Sequence, residues 1–138
     1  MERFVGVWRL ERWSSGAREP FGAAPLGTLV YTAEGTMVSC FSRRHREAVA
    51  GSLESLAAWR REWREHPAPA LEYRLLAAAL AFNAYSGRFS VEGDHVHHDV
   101  EVALFPEWIG RRLTRRYRFE GERLSLGFGD DELVWRRA

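Results

Sequence analysis

The chain contains no lysine, because all 20 of its basic residues are arginine. Without a lysine amine, Schiff-base chemistry and a side-chain amine nucleophile are excluded. We attribute the arginine bias to the codon usage of a GC-rich genome rather than to function. The formal net charge is +1, which is too small to indicate a nucleic-acid-binding surface.

Cysteine and long apolar runs are also scarce. Cys40 is the only cysteine, so no disulfide can form within the chain, which fits a reducing compartment. Charges at Glu2 and Arg3 come before any apolar stretch of a signal peptide. The longest apolar run, residues 75–82, is far shorter than the roughly 20 residues that a membrane span needs. We therefore expect a cytoplasmic protein with no membrane partner.

Short strand-like segments make up most of the chain. They show alternating or β-branched and aromatic patterns, and glycine turns such as Glu34-Gly35 and Gly93-Asp94 separate them. The predicted strands cover residues 4–13, 27–33, 36–42, 85–92, 95–105, 111–120, 123–128 and 132–137.

Between the third and fourth strands, a spacing of three to four residues predicts two helices. The first contains Leu56 and Trp63, and the second covers about residues 70–83. We expect a single domain of residues 1–138 with a helical insert of roughly residues 45–83. Two interpretations stay open for the tryptophan side of the first helix: a packing seam, or a mobile lid over one mouth of the barrel.

Sheet edges favour a closed structure. An open sheet of eight short strands would expose two unpaired edges, and closure removes both. A barrel of about eight strands is just wide enough to hold side chains or one small ligand. The sequence therefore predicts a mainly all-β fold, an antiparallel up-and-down barrel of about eight strands.

Several motifs resemble a known family. Gly6-Val7-Trp8 is similar to the Gly-x-Trp signature of the first lipocalin strand, and Arg136 or Arg137 lies where lipocalins place an arginine across that tryptophan. Such a cation–π contact is worth about 0.5–2 kcal/mol. Together the blocks resemble the bacterial and fungal lipocalin-like domain family, which implies a calycin-type barrel. Further blocks lie at Pro20-Phe21-Gly22 and at residues 27–37, 84–89, 96–98, 106–110, 115 and 133–136.

Strand alternation assigns side chains to the two faces of the barrel wall. In the fifth strand, His98 shares the apolar, inward face with Val96, Val100, Val102 and Leu104. In the sixth strand, an inward Arg115 accompanies Leu113, Tyr117 and Phe119. An apolar lumen with a few polar groups is typical of a ligand pocket. The predicted ligand-binding residues are Tyr31, Tyr85, Phe89, His98, Trp108, Arg115 and Tyr117.

Arg115 is the most informative of these residues, because an unpaired buried charge costs several kcal/mol. Three partners for Arg115 remain open: a loop acid such as Glu107, a backbone carbonyl or an anionic ligand oxygen. His98 is either a hydrogen-bonded core histidine or a functional group, which would be a general acid–base or a hydrogen-bond donor to a ligand carbonyl. For Tyr31 and Tyr85, packing with a hydroxyl partner is favoured over catalysis.

His95, His97 and Asp99 have spacing that can place metal ligands side by side. Alternation puts them on the solvent face, and no second ligand cluster accompanies them. We therefore expect no metal and no cofactor.

Three functions remain open. In the first, the barrel binds a small hydrophobic molecule with an acidic or carbonyl group. In the second, which the resemblance permits, it is a cofactor-free cyclase, isomerase or dehydratase acting on a polyketide-like intermediate of natural-product biosynthesis. His98, Arg115 and Tyr85 would be its catalytic residues. In the third, aromatic side chains fill a purely structural barrel. A monomer and a homodimer are both compatible with the sequence.

Overall fold

A computed structural model describes residues 1–138. The chain forms eight strands, two α-helices and one short 3-10 helix, and none of the helices has the length and apolarity needed to cross a bilayer. In chain order the elements are β1 Gly6–Ser15, β2 Leu26–Tyr31, β3 Thr36–Ser42, α1 Leu53–Glu62, α2 Pro69–Leu80, β4 Phe82–Glu92, β5 His95–Ala103, the 3-10 helix Pro106–Trp108, β6 Arg112–Glu120, β7 Arg123–Phe128 and β8 Asp131–Arg137.

Neighbouring strands pair in chain order, and β8 pairs with β1, so the sheet is a closed barrel without free edges. This confirms the predicted eight-stranded antiparallel barrel with a helical insert between the third and fourth strands. The turns β2–β3, β4–β5 and β6–β7 lie at one end, which we call the lower end. The β1–β2, β5–β6 and β7–β8 connections lie at the opposite end, which we call the upper end.

Residues 45–82, which follow β3 and end at the first residue of β4, form a compact unit of their own. Ser52 caps α1, because its hydroxyl accepts a hydrogen bond from the Ser55 amide at 3.0 Å. Helix α2 begins at Pro69, where the missing N–H of proline costs nothing. It ends at Leu80, three residues before the predicted boundary, because β4 begins two residues later.

An arginine stacked on a tryptophan closes the lower end of the barrel. The Arg137 guanidinium lies 4.2 Å from the centroid of the Trp8 ring. Its Nη1 donates to the carbonyl of Val5 at 3.0 Å and its Nη2 to the carbonyl of Arg3 at 2.6 Å. The expected arginine is thus Arg137, whereas Arg136 is exposed on the outer surface.

The segment before β1 fills the lower part of the barrel. Phe4, which the alternation pattern assigned to the first strand, instead lies before β1, and its carbonyl accepts a hydrogen bond from Trp8 Nε1 at 2.8 Å. Its fully buried ring packs within 4.8–6.2 Å of four other aromatic rings. These rings belong to Tyr31, Phe89, Tyr117 and Phe119.

The inward face of β5 follows the prediction only as far as Val100. Val102 is 64% exposed, so its inward assignment was wrong. The β4–β5 register shifts at Gly87, which leaves Glu101 as an extra residue of β5 and reverses the faces beyond it. At this bulge the backbones are so close that a Cβ on Gly87 would lie 1.9 Å from the Asp99 carbonyl oxygen.

Gly6 allows the lower end to close, and its substitution provides a test. Its φ is 137°, and an added Cβ would meet Arg137 Nη1 at 2.8 Å. We expect Gly6→Ala to lower the free energy of unfolding by about 1–3 kcal/mol, because it combines backbone strain with displacement of the guanidinium. Urea denaturation measures the change. Gly127→Ala is the control, since its Cβ would make only ordinary contacts at 3.7 Å and beyond, and equal losses in the two variants would contradict this account.

Candidate functional site

A buried histidine lies between two tyrosines inside the barrel. His98, on β5, is fully buried, and its Nε2 is 2.7 Å from the hydroxyl of Tyr31 on β2. Its Nδ1 is 2.9 Å from the hydroxyl of Tyr85 on β4. Three strands therefore contribute to one continuous hydrogen-bonded chain, Tyr31–His98–Tyr85, with both imidazole nitrogens occupied.

This chain is polar but uncharged. Burial, reinforced by the positive charge of Arg115, lowers the pKa of His98 to about 3, so the imidazole is neutral near pH 7. Burial also raises the pKa of Tyr31 well above its ordinary value and raises the pKa of Tyr85. Both hydroxyls therefore keep their protons, and His98 is too weak a base to take up a proton from bulk water at neutral pH.

Arg115 lies on the inward face of β6, as alternation predicted, and is half-buried. Its guanidinium stacks 3.9 Å from the centroid of Phe128, and Nη1 makes one long hydrogen bond, 3.4 Å, to the carbonyl of Thr114. The guanidinium also reaches the hydroxyl of Tyr85. None of the ion pairs within 4.0 Å involves Arg115, so Glu107 is not its partner. Most of the donors of this guanidinium are therefore unused within the protein.

The three residues predicted as catalytic lie near one another. The charge of Arg115 opposes the rise that burial causes in the pKa of Tyr85, and it adds to the fall that burial causes in the pKa of His98. Tyr85 is bonded directly to His98. A cation and a hydroxyl donor thus act on the same region of the interior, which is an arrangement that can hold an anionic or carbonyl oxygen.

The other predicted ligand-binding residues divide between the two ends. Trp108, in the upper β5–β6 connection, lies edge-on to Tyr85 with ring centroids 5.6 Å apart. Phe89 is buried and packs 4.6 Å from Tyr31. The hydroxyl of Tyr117 donates to the Gly93 carbonyl at 3.0 Å, so this side chain belongs to the lower end.

Three interior residues were missed by sequence reasoning. Ser39 is 2% exposed on the inward face of β3, and a hydrogen bond with its side chain partly offsets the rise that burial causes in the pKa of Tyr85. Trp135, on β8, is fully buried, yet its Nε1 has no hydrogen-bond partner. Phe128 carries the Arg115 stack. Alternation in β3 already indicates the inward position of Ser39, but nothing in the sequence reveals the neighbours of these residues.

The candidate metal ligands on β5 point outward and have other partners. Asp99 accepts two hydrogen bonds from Arg112, at 2.7 and 3.0 Å. His97 Nδ1 is 3.0 Å from the hydroxyl of Thr114, and His95 Nδ1 is 2.7 Å from Asp94. No cluster of three histidine, cysteine or acidic side chains with the spacing of a metal site is present.

The geometry defines a class of protein. A closed eight-stranded up-and-down barrel, with an arginine–tryptophan contact at one end and polar groups in an aromatic interior, is a lipocalin-like barrel, a fold suited to holding a small ligand. The chain belongs to the family described as lipocalin-like domain, whose sequence model matches residues 5–137.

Solved structures show the same fold at low sequence identity. A protein from Bacteroides eggerthii matches with a TM-score of 0.52 and 9% identity, covering 98% of this chain and 99% of that chain. A lipocalin-like protein from Bacteroides uniformis matches with a TM-score of 0.50 and 10% identity, covering 98% of each chain. At such identities the likeness shows the fold alone. A search of the curated proteins finds no match.

The burial of neutral His98 predicts a pH dependence of stability. Its folded pKa of about 3 lies below its ordinary value of 6.5, so the unfolded chain binds the proton first as the pH falls. The stability that this difference contributes is fully present above pH 6.5 and is lost towards pH 3. From about pH 6 to about pH 4 we expect wild type to lose up to about 1.4 kcal/mol per pH unit more than His98→Gln.

Urea denaturation at a series of pH values measures this difference in slope. Glutamine keeps a donor and an acceptor but does not titrate, so the comparison isolates the imidazole. His66→Gln, which removes an exposed histidine, is the control and should leave the wild-type slope unchanged. Parallel curves for wild type and His98→Gln would show that His98 is protonated without a cost to folding.

Proposed function

We propose that the barrel binds a small hydrophobic molecule that carries an acidic or carbonyl group, with that group beside Arg115 and Tyr85. One observation carries the proposal: Arg115 points inward, half-buried, without a carboxylate partner. Removing a cation from water without a counter-charge is unfavourable, and an anionic or polarised oxygen from a ligand compensates for that cost.

The other inward arginine makes the contrast clear. Arg137, at the lower end, donates to two backbone carbonyls, stacks on Trp8 and lies 3.8 Å from Glu122. Its guanidinium is therefore satisfied by the protein. Arg115 has one long bond to a carbonyl, one aromatic face and a contact with the Tyr85 hydroxyl. The two arginines share an orientation but not a role, and only the upper one has donors left for another molecule.

Aromatic packing restricts where a ligand fits. Phe4 and its aromatic neighbours occupy the lower part of the barrel, so the proposed site lies above them. Tyr85, Trp108 and Phe128 supply apolar ring faces near Arg115, which is the mixture of apolar walls and few polar groups that small-molecule sites use.

The anionic dye 1-anilinonaphthalene-8-sulfonate provides a direct test of the proposed site. We expect it to bind the wild-type barrel and to bind Arg115→Met at least about tenfold more weakly, because a charged hydrogen bond is worth about 1.5–3 kcal/mol. Methionine keeps much of the side-chain length and removes the charge. Fluorescence titration at fixed low salt measures both dissociation constants.

Arg116→Met is the matched control for this titration. Arg116 is the next residue of the same strand, is exposed, and lies 3.6 Å from Asp94 on the outer surface. Its loss should leave dye affinity within about twofold, since exposed ion pairs contribute little. Equal weakening in both variants would contradict the proposed site. Absence of dye binding in wild type would favour the alternative of a structural barrel with a filled core.

Catalysis is a second candidate function, and the convergence of Tyr85, His98 and Arg115 favours it. A cyclase, isomerase or dehydratase acting on a polyketide-like molecule needs donors aimed at a developing enolate oxygen. Arg115 and Tyr85 are suited to that role. Neutral His98, with both nitrogens bonded, is suited to orienting Tyr85 rather than to exchanging a proton with solvent.

Deuterium exchange at the α-carbon of 2-tetralone, followed by NMR in heavy water, tests this second candidate. Stabilisation of the enolate by Arg115 and Tyr85 should accelerate the exchange over buffer by at least about tenfold, and Arg115→Met should remove most of that acceleration. Arg116→Met should retain it. If wild type binds the dye but exchange proceeds at the buffer rate, ligand binding without enolate stabilisation is the remaining function.

A further inference from the structure

The Tyr31–His98–Tyr85 chain has one hydrogen-bond donor more than its two hydrogen bonds use. The neutral imidazole has one N–H, and each tyrosine has one O–H, so the chain holds three donors. His98 is buried and has no carboxylate partner, which agrees with the neutral form. Two hydrogen bonds link the three side chains and consume two of those protons. One tyrosine therefore donates to His98, and the other accepts from it and keeps a free O–H.

The direction in which the two hydrogen bonds of the Tyr31–His98–Tyr85 chain run decides which tyrosine has the free proton. If Nε2 is protonated, His98 donates to Tyr31 and accepts from Tyr85, so the unused O–H belongs to Tyr31. If Nδ1 is protonated, Tyr31 donates to Nε2, His98 donates to Tyr85, and the unused O–H belongs to Tyr85. The two arrangements have the same heavy-atom positions and differ only in the histidine tautomer.

The surroundings of the two hydroxyls favour the second arrangement. Tyr31 is 1% exposed, packs against the rings of Phe4 and Phe89, and has no hydrogen-bond partner except His98. A free O–H there would be buried without an acceptor. Tyr85 is 8% exposed, and its hydroxyl is within reach of both Arg115 and Ser39. Arg115 can only donate to the Tyr85 oxygen, whereas the Ser39 hydroxyl can accept the Tyr85 proton. The unused proton is therefore less costly at Tyr85.

We propose that His98 is protonated at Nδ1, and that Tyr85 donates the remaining proton of the chain to an acceptor oxygen of the bound molecule beside Arg115. Tyr31 and His98 are then positioning residues, because they fix the direction in which Tyr85 donates without contacting the ligand. The second half of this inference rests on the proposed function; the first half concerns the ligand-free protein alone.

The proposal narrows the class of ligand. Arg115 can only donate hydrogen bonds, and in this arrangement Tyr85 also donates. The site then accepts a ketone, an enolate, an ester carbonyl or a carboxylate, and it disfavours an amine or an ammonium group. The tautomer of His98, which does not contact the ligand itself, therefore sets the specificity. With the other tautomer, Tyr85 would donate to His98, and only Arg115 would remain to donate to the ligand.

Nitrogen-15 NMR of the ligand-free wild-type protein tests the direction of the chain. Two-bond couplings from the ring carbon protons distinguish a protonated from an unprotonated ring nitrogen, and the spectrum of His98→Gln identifies the His98 signals by their loss. We expect the protonated nitrogen to be Nδ1. A protonated Nε2, or an imidazolium at about pH 7, would overturn the inference whatever the protein binds.

The neutral ketone fluorophore prodan tests the donation to a ligand. Its emission moves to longer wavelength when its carbonyl accepts a hydrogen bond. We expect Tyr85→Phe to shift the emission of bound prodan to shorter wavelength and to weaken binding about fivefold, the fold-change that one net hydrogen bond supplies. Tyr73→Phe, which removes a hydroxyl from an exposed tyrosine of α2, should change neither value.

The NMR and prodan measurements test different halves of the inference, so one half can be overturned while the other stands. Nδ1 protonation together with unchanged prodan emission in a folded Tyr85→Phe variant would overturn the donation to a ligand and leave the direction of the chain standing. Failure of both prodan and the sulfonate dye to bind wild type would remove the proposed function, and the NMR result would still decide the direction. If Tyr85→Phe loses the near-ultraviolet circular dichroism of the folded barrel, Ser39→Ala replaces it. Removing a hydroxyl that competes with the ligand for the Tyr85 proton should strengthen prodan binding, and weaker binding would overturn the donation from Tyr85.

Discussion

The contact between Arg137 and Trp8 is the constraint on which the rest of the barrel depends. It joins the last strand to the first, and its guanidinium ties the segment before β1 across the lower end through the carbonyls of Val5 and Arg3. Gly6 permits this approach because a side chain there would collide with the guanidinium. Phe4 and its aromatic neighbours fill the lower end, so the barrel has two chemically different ends, and the proposed site lies in the upper one.

Above that aromatic floor, the interior contains polar groups that satisfy one another only in part. Tyr31, His98 and Tyr85 form a neutral chain, and neutrality is what makes its burial tolerable, since a buried ion without a partner would cost far more than a hydrogen-bonded hydroxyl. Arg115 is the exception, a cation with most of its donors unused. The proposed binding and the proposed enolate stabilisation both rest on this one imbalance. They differ in whether the oxygen held beside Arg115 also develops charge in a reaction.

Much of the architecture and part of the site could be predicted from single strands. Alternation in β5 and β6 correctly placed His98 and Arg115 on the inward face, because side chains of a strand alternate regardless of its neighbours. It failed at Val102, where the bulge at Glu101 depends on a close approach of β4 that no pattern within β5 reveals. Alternation also could not predict the two partners of His98, because the register and shear of the closed sheet decide which tyrosines reach its nitrogens.

By itself, the sequence determined the number and order of the strands, the position of the helical insert, the Gly-x-Trp motif and the apolar character of the interior. These properties follow from local periodicity, turn residues and short motifs, which each segment carries without reference to the others. Only the tertiary structure decided that Arg137 rather than Arg136 closes the lower end, that Tyr117 belongs to that end, and that Arg115 lacks a carboxylate partner. Each of these depends on distances between strands far apart in the chain, and such distances are set by barrel closure rather than by any one segment.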